Sequence, residues 1–453
     1  MRDYRPILVS ILLGLLLAAG GLFNALIAEQ TRWEAPELDL QYVADEEPAP
    51  VVEQLGEHLW SVDGLKVVVA SGSPREMGRQ YGAAVAEDIR RGIDSYLFAH
   101  VRDNQGYDTQ YMRLCSAAME KHIAPEYIEE MQGVAEGSGI PYEDILAMHI
   151  HADMVHYGHD WGKPRQDQGD GQECSNFAVW GPATADGRLY HGRNLDWTSG
   201  TRVQDSAVVY IGIPEQGHAF ALVTYAGCVG AVTGMNAAGI TFGEMTSSTN
   251  DETLDGEPLF IICRRLLQHC GNLSEVEQMV GGYAGTTGWN FVVAAGGERS
   301  ARAFEVDAGD KIVFGPADEQ ENKPPVSEGF EYGIYRTNHP VSEKLQRKIL
   351  ARLGIDNLEV ARVMVRGLDT WQRYESIRLW VTEKYYGKVD ARLARAMLQS
   401  KPLAGGGNLH SVVFAPEDLR MWVANATSPP DKQPAYTQKY HLIELPRFVG
   451  LRH

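Results

Sequence analysis

The hydrophobic pattern along this chain changes character three times. Residues 7–28 form an apolar run without a single charge, preceded by Arg2 and Arg5 and followed by Glu29, Glu34, Glu37 and Asp39. A run close to the ~20 residues that span a bilayer, with its basic flank first, predicts a signal anchor or signal peptide over residues 1–28. The basic flank stays in the cytoplasm, so the remainder is expected outside it, membrane-anchored or secreted, periplasmic or at the cell surface. Residues 29–57 are rich in Glu, Asp and Pro with no sustained apolar period, and read as a disordered tether.

Order resumes near His58. Residues 65–70 carry a strand pattern, and Ser73-Pro74-Arg75-Glu76 opens a helix with Ser73 as cap, Pro74 at the first helical position and Glu76 closing a capping box. Helical periodicity continues through about residues 111–136 and 142–154, which makes residues 58–173 a mainly helical segment. Residues 163–172, rich in Gly, Asp and Gln, read as an exposed loop. From residue 174 strands dominate: 207–213, 219–225, 230–235 and 240–245, then 289–295 and 301–307, and a late hairpin over 409–424. Helices are expected at 258–270, 274–282, 342–353 and 370–386. Strands and helices in separate runs imply an α+β fold, antiparallel sheets with helices packed outside. There is no internal repeat.

Composition narrows the functional classes. The 453 residues are enough for one large domain or two ordinary ones. A formal charge of −19 argues against nucleic acid, whose binding needs clustered Lys and Arg. Five cysteines without Cys-x-x-Cys spacing indicate neither a disulfide framework nor a metal knuckle, and Cys115, Cys228, Cys263 and Cys270 read as buried thiols.

The candidate chemistry sits in Glu173-Cys174-Ser175-Asn176-Phe177 and Gly192-Arg193-Asn194-Leu195-Asp196. Residues 177–180 and 189–191 read as strands around an Asp186-Gly187 turn. With a loop over residues 182–188, residue 181 faces 189 and residue 174 faces 196, which brings Cys174, Arg193 and Asp196 to one end of a hairpin. A thiol with a free pKa of about 8.5 needs help to ionise near neutral pH, and a guanidinium beside it supplies that help. The plain reading of the same residues is a core cysteine in a sheet with a surface Arg/Asp pair.

Cys-Ser-Asn-Phe followed by Gly-Arg-Asn-Leu-Asp-Trp resembles the start of the mature chain in cysteine N-terminal-nucleophile hydrolases, above all the acyl-CoA:6-aminopenicillanic acid acyltransferase (penicillin acyltransferase) group, and more distantly bile salt hydrolases and acid ceramidases. Further pieces follow in the family's order: Gly234-Met235-Asn236, Thr337-Asn338-His339-Pro340, Gln372-Arg373-Tyr374 and residues 409–414. The resemblance implies a four-layer αββα sandwich over residues 174–453, with residues 58–173 as pro-segment, and self-cleavage between Glu173 and Cys174. It makes Cys174 the nucleophile and, through its freed amine, the general base. Such an amine has a pKa of about 7.7–8.0. Arg193 would stabilise the thiolate, Asp196 hold the amine, Asn236 and Asn338 donate to the oxyanion, and Arg373 brace the site. The substrate class so implied is a small-molecule acyl amide, cleaved by hydrolysis or acyl transfer. Glu173 departs from the Gly usual at that position in penicillin-type enzymes. Taken singly, Asn236 suits a left-handed turn, Asn338 a loop before Pro, and Arg373 a solvated helix charge.

No Gly-x-Ser-x-Gly, His-Glu-x-x-His or Walker-type motif occurs, and no cofactor is expected. His149, Asp153, His156 and Asp160 would share one helix face and so form a possible metal ligand set, although a polar helix face or a pocket wall is the plainer reading, and no metal is expected. Three rivals stay open: a papain-like site with His339 or His410 as base, a phospholipase B-like lipid hydrolase, and an unprocessed membrane-tethered binding protein on the same scaffold. The oligomeric state is not legible.

Overall fold

The computed structural model describes residues 33–40, 43, 49–157, 173–197, 199–247, 249–321, 328–352, 354, 357–358, 368–428 and 431–450. The apolar run over residues 7–28, the loop over 163–172 and Asp160 lie outside the described residues.

Two sheets stack face to face. The larger runs in the order β1 (Val52–Gln54), β2 (Leu59–Val62), β3 (Leu65–Gly72), β6 (Ala207–Pro214), β7 (Phe220–Tyr225), β8 (Thr233–Asn236), β9 (Ile240–Thr246), β10 (Trp289–Ala295), β11 (Ser300–Val306) and β12 (Lys311–Phe314). The smaller runs β13 (Gly333–Arg336), β4 (Ser175–Gly181), β5 (Gly187–Asp196), β14 (Asn408–Ala415), β15 (Arg420–Asn425) and β16 (His441–Glu444). Pairing is antiparallel throughout except between β3 and β6. β4 packs against β9, β10 and β11 across the sandwich.

Helices cover both outer faces. In chain order the longer α-helices among the described residues are α1 (Pro74–Ala84), α2 (Ala86–Gly92), α3 (Thr109–Glu120), α4 (Pro125–Ser138), α5 (Tyr142–His156), α6 (Leu259–His269), α7 (Leu273–Gly281), α8 (Glu343–Arg352), α9 (Asp369–Leu379) and α10 (Ala391–Gln399). α1, α6 and α7 lie on the larger sheet, α9 and α10 on the smaller, which completes the αββα order. Glu76 accepts the Ser73 N–H at 3.0 Å, as the capping box requires. α1 and α4 touch backbone to backbone: a Cβ at Gly78 would lie 2.0 Å from Glu130 O, and one at Gly133 2.3 Å from Arg75 O.

Four expectations need correction. The helical pattern over 111–136 is two helices, because Pro125 starts a new one and its ring cannot continue the first. The sandwich is not confined to residues 174–453, since β2 and β3 build the larger sheet with the strands that follow Cys174. The stretch expected as a disordered tether holds an ordered piece over residues 33–40, where Ala35 and Leu38 pack on the helices of the smaller sheet, and β1. The β4–β5 register differs by one residue. Ser175 pairs with Asn194 and Asn176 with Arg193, which sets Cys174 against Leu195 instead of Asp196. The register shifts between Val179 and Gly181, where Gly181 and Gly187 both take positive φ and the Thr184 hydroxyl reaches Gly181 O and Arg188 O.

Candidate active site

Side chains alternate across a strand, so the one-residue register difference decides which groups meet. Arg193 and Asn176 face the larger sheet: a Cβ at Gly243 of β9 would lie 2.0 Å from Asn176 Nδ2 and 3.0 Å from Arg193 Cδ. Cys174 and Leu195 share that parity, so the thiol and the guanidinium project to one side. Asn194 has the other parity and donates to Leu398 O and Leu403 O on the helix side. Asp196 follows Asn194, and its carboxylate lies at the strand end beside Glu173 and Gly405.

The thiol is buried, and Cys174 Sγ lies 3.6 Å from Asp196 O. Burial pushes the thiol above its ordinary range, the positive charge of Arg193 works against that rise, and Glu244 and Asp196 add to it. Arg193 is fully buried and donates to Asn194 O. Its Nη2 is 3.6 Å from Glu244 Oε2, and among the described residues neither Nε nor Nη2 has a hydrogen-bond partner. Burial lifts Glu244 to about 8, with Arg193 opposing the shift. Asp196 accepts from Asn408 Nδ2 at 2.6 Å through Oδ1, while Oδ2 has no hydrogen-bond partner among the described residues. Burial raises Asp196 to about 7, the Asn408 bond and Arg373 restrain it, and Glu173 adds to the rise.

Arg373, on α9, grips the segment from the helix side. It donates to Cys174 O, to Ser175 Oγ at 3.2 Å and to Asn338 Oδ1 at 3.1 Å. Asn338 in turn donates to Thr246 O at 2.9 Å. Cys174, Arg193, Asp196, Asn338 and Arg373 are thus brought together.

Asn236 is not, which corrects its expected role as an oxyanion donor. Its Nδ2 donates to Leu267 O and Cys270 O, both at 2.8 Å, and its Oδ1 accepts from the Ala238 and Ile240 N–H groups. Every hydrogen-bonding site of the amide serves the β8–β9 turn and the end of α6. His149, Asp153 and His156 also point to separate tasks. His149 Nε2 accepts from Val229 N, Asp153 accepts from Leu259 N and Thr286 Oγ1, and His156 stacks edge-on against Trp289.

Both histidines of the papain-like alternative sit in buried sites that disfavour a base role. His410 pairs with Leu195, so β5 stands between it and β4, and its Nε2 is engaged with Thr233 Oγ1 at 2.8 Å. His339 Nδ1 lies 2.9 Å from Thr370 Oγ1. Burial forces His339 down to about 3 and His410 well below its ordinary value, far from the pKa that makes an effective base near neutral pH.

Glu244 and Asn408 escaped the sequence reading. Glu244 is the sole charge in the strand Ile240–Thr246, a signal that was available; Asn408 follows Gly405-Gly406-Gly407. Beside Glu244 the β7–β8 pairing stops at Leu222–Gly234 although β7 runs on to Tyr225. A narrow apolar cavity of about 50 Å³ opens there, lined by Tyr225, Glu244, Leu195 and His410 of the sheets, Met148 and His151 of α5, and Tyr96 and Trp197.

Comparison with known proteins places this site in context. The family model for acyl-coenzyme A:6-aminopenicillanic acid acyl-transferase matches residues 183–428, more than half of the chain, beginning just past Cys174. An uncharacterized protein of Archaeoglobus fulgidus is 23% identical over 376 residues, covering 78% of this chain and 60% of that protein. Protein dcd1B of Dictyostelium discoideum is 23% identical over 228 residues, covering 45% and 43%. The chain therefore spans about half the length of these curated relatives. Among solved structures, a Caenorhabditis elegans N-acylethanolamine-hydrolyzing acid amidase ortholog superposes at a TM-score of 0.36 with 15% identity, over 60% of this chain and 100% of that one. Penicillin V acylase from Agrobacterium tumefaciens superposes at 0.37 with 13% identity, over 56% and 84%. Superpositions this loose add nothing to the assignment, which rests on the family model: the chain belongs to the acyl-coenzyme A:6-aminopenicillanic acid acyl-transferase family.

Proposed function

We propose that the chain is a self-processing cysteine amidohydrolase or acyltransferase that cleaves linear amides through an acyl thioester on Cys174, and that it works outside the cytoplasm behind its apolar N-terminal run. Cleavage of the Glu173–Cys174 peptide frees the Cys174 amine. That amine accepts the thiol proton as sulfur attacks the substrate carbonyl, and returns a proton to the departing amine. Water, or a second amine, then takes the acyl group from the thioester. Arg193 lowers the cost of the thiolate, the unpartnered Asp196 oxygen receives the new ammonium, and the Asn338 amide is the nearby donor for the tetrahedral oxyanion. Arg373 holds the Cys174 carbonyl fixed throughout.

One observation carries this reading: a buried cysteine at the start of a strand has a guanidinium with unpartnered nitrogens on its own face and a carboxylate with an unpartnered oxygen at its N-terminal side. His339 and His410 are both held in buried sites that disfavour the base role, which favours an amine. The test is intact mass and N-terminal sequencing of purified wild type beside Cys174→Ala. Two fragments from the wild type, one beginning at Cys174, and a whole Cys174→Ala chain are expected. An uncleaved wild type that turns over acyl amides, or that stays inert to an acylating probe, overturns the amine-base mechanism.

A further inference from the structure

Residues 33–40 lie along the outer helices of the smaller sheet. Trp33 Nε1 donates to Ser376 Oγ at 2.8 Å, and Trp380 Nε1 donates to Pro36 O at 2.8 Å. Lys384 Nζ donates to Ala35 O at 3.1 Å and pairs with Glu37 at 2.8 Å. The Leu38 N–H reaches the Tyr385 hydroxyl at 3.2 Å, and the Asp39 N–H reaches Ser400 Oγ at 2.7 Å. Ala35 and Leu38 rest on the apolar cluster that contains Tyr374, Ile377 and Trp380. Every one of these partners lies C-terminal to Cys174.

The position of Trp33 on α9 matters more than the number of contacts. Ser376 is buried and stands three residues beyond Arg373, so the two occupy one stripe of the helix a single turn apart. Arg373 is the side chain that holds Cys174 O and Asn338 Oδ1. A segment that fixes α9 at Ser376 therefore also fixes where the guanidinium one turn earlier sits.

We propose that residues 33–40 are a positioning strap for Arg373, and that Trp33, by holding α9, sets the rate at which the Glu173–Cys174 peptide is cut. The proposal rests on the self-processing reading above. It gives the N-terminal piece a task on the far side of the sandwich from β1–β3, and it keeps that piece attached to the catalytic layer after cleavage.

The experiment follows disappearance of the intact chain with time in cell-free synthesis for wild type, Trp33→Ala and Trp33→Phe, all full length. Hydrogen exchange over residues 369–379 and thermal stability are measured on the same variants in a Cys174→Ala background. A displacement of about 1 Å at a positioned group can cost about 100-fold, so Trp33→Ala is expected to cleave about tenfold or more slowly. Trp33→Phe, which keeps the ring but not the N–H, falls between it and wild type. α9 amides exchange faster in Trp33→Ala while the melting temperature changes little. Equal cleavage rates in wild type and Trp33→Ala overturn the strap alone. Slower cleavage that merely follows a large fall in melting temperature, without faster exchange confined to α9, also overturns it. A wild type that never cleaves overturns the strap and the self-processing reading together.

Discussion

Asp196 and Glu173 meet across Gly405: a Cβ there would lie 2.3 Å from Asp196 Oδ2 and 2.7 Å from Glu173 Oε2, which brings the two carboxylate oxygens within about 5 Å of each other. Two carboxylates this close, Asp196 buried and Glu173 half-buried, resist ionising together. Glu173 contributes to the rise of Asp196 to about 7, behind burial as the main cause. Before cleavage Cys174 has no free amine, and Asp196, with an unpartnered oxygen beside the scissile peptide, can take up a proton only when ionised, so its neighbour before the scissile bond tunes the pH at which processing is fastest. In Glu173→Gln the raising charge is gone, and the limb of the self-cleavage pH profile that reports Asp196 is expected to move to lower pH. Cleavage rates of the two chains across pH 5 to 8 check this; superimposable profiles count against it.

The Arg193–Glu244 pair gives a second expectation. Both side chains are buried, at 0% and 4% side-chain exposure, so removing one partner leaves the other charge in a site that cannot solvate it. Arg193→Met leaves Glu244 protonated in its buried site, and is expected to cost about 1–3 kcal/mol of stability and to raise the thiol pKa further. Adding Glu244→Gln removes the stranded carboxyl and recovers part of the stability, yet the thiol still lacks its cation. Denaturant melts of the four members of the cycle, with iodoacetamide reactivity against pH, separate the two effects. A double variant that alkylates like wild type contradicts the role of Arg193.

Stability against pH follows from the same burial. Asp153, Asp196 and Glu257 are lifted to about 7 and Glu244 to about 8, so each binds its proton more tightly folded than unfolded. Their contribution is complete below the ordinary carboxyl range and disappears as pH rises through the folded values. His149 and His151, forced down to about 4, act the other way: their contribution is present above pH 6.5 and is lost as pH falls towards 4. The two sets oppose each other in acid and up to about pH 7, and from pH 7 to 8 the carboxyls dominate. The uncleaved Cys174→Ala chain is therefore expected to lose stability over that interval, by at most about 1.4 kcal/mol per pH unit for each group. Glu244→Gln flattens the alkaline end of the curve. Melting temperatures that hold constant or rise over the interval contradict the burial argument.

How much of this was legible depends on whether a feature is local. The capping box at Ser73 and Glu76, the strand over Ile240–Thr246 and the late hairpin around Pro416 are written in short patterns, and each can be read residue by residue. The register of β4 and β5 is not, because it turns on the positive φ of Gly181 and Gly187 and on the bridging Thr184 hydroxyl, which spacing does not encode. That single residue matters: it puts Arg193 on the face of Cys174 and turns Asp196 towards the peptide that precedes it. The strap over residues 33–40 was hidden by its composition, since acidic residues and prolines mask the two anchors, Trp33 and Leu38, whose partners lie some 340 positions away. The close approach of α1 and α4 depends on Gly78, Gly82, Gly133 and Gly137 lying on facing stripes, which the sequence alone does not pair.

Asn236 and Asn338 came from the same ordered resemblance, and the structure separates them. The Asn236 amide bonds four backbone groups, two at the β8–β9 turn and two at the end of α6, so Asn236→Ala strands two carbonyls and two N–H groups. Each unsatisfied buried group costs about 1–3 kcal/mol, and relaxation of the turn returns part of it. Asn236→Ala is therefore expected to lose about 2–4 kcal/mol of stability, while the fraction that folds cleaves and turns over at the wild-type rate. Asn338→Ala loses less stability, because only the bonds to Thr246 O and Arg373 disappear. Its loss falls on turnover instead, by about 100-fold or more if its amide is the oxyanion donor. The discriminating measurement is kcat per folded, thioester-competent site, counted by burst titration, with stability measured on the same samples. A reversal, with Asn236→Ala stable but slow, would return Asn236 to the reaction.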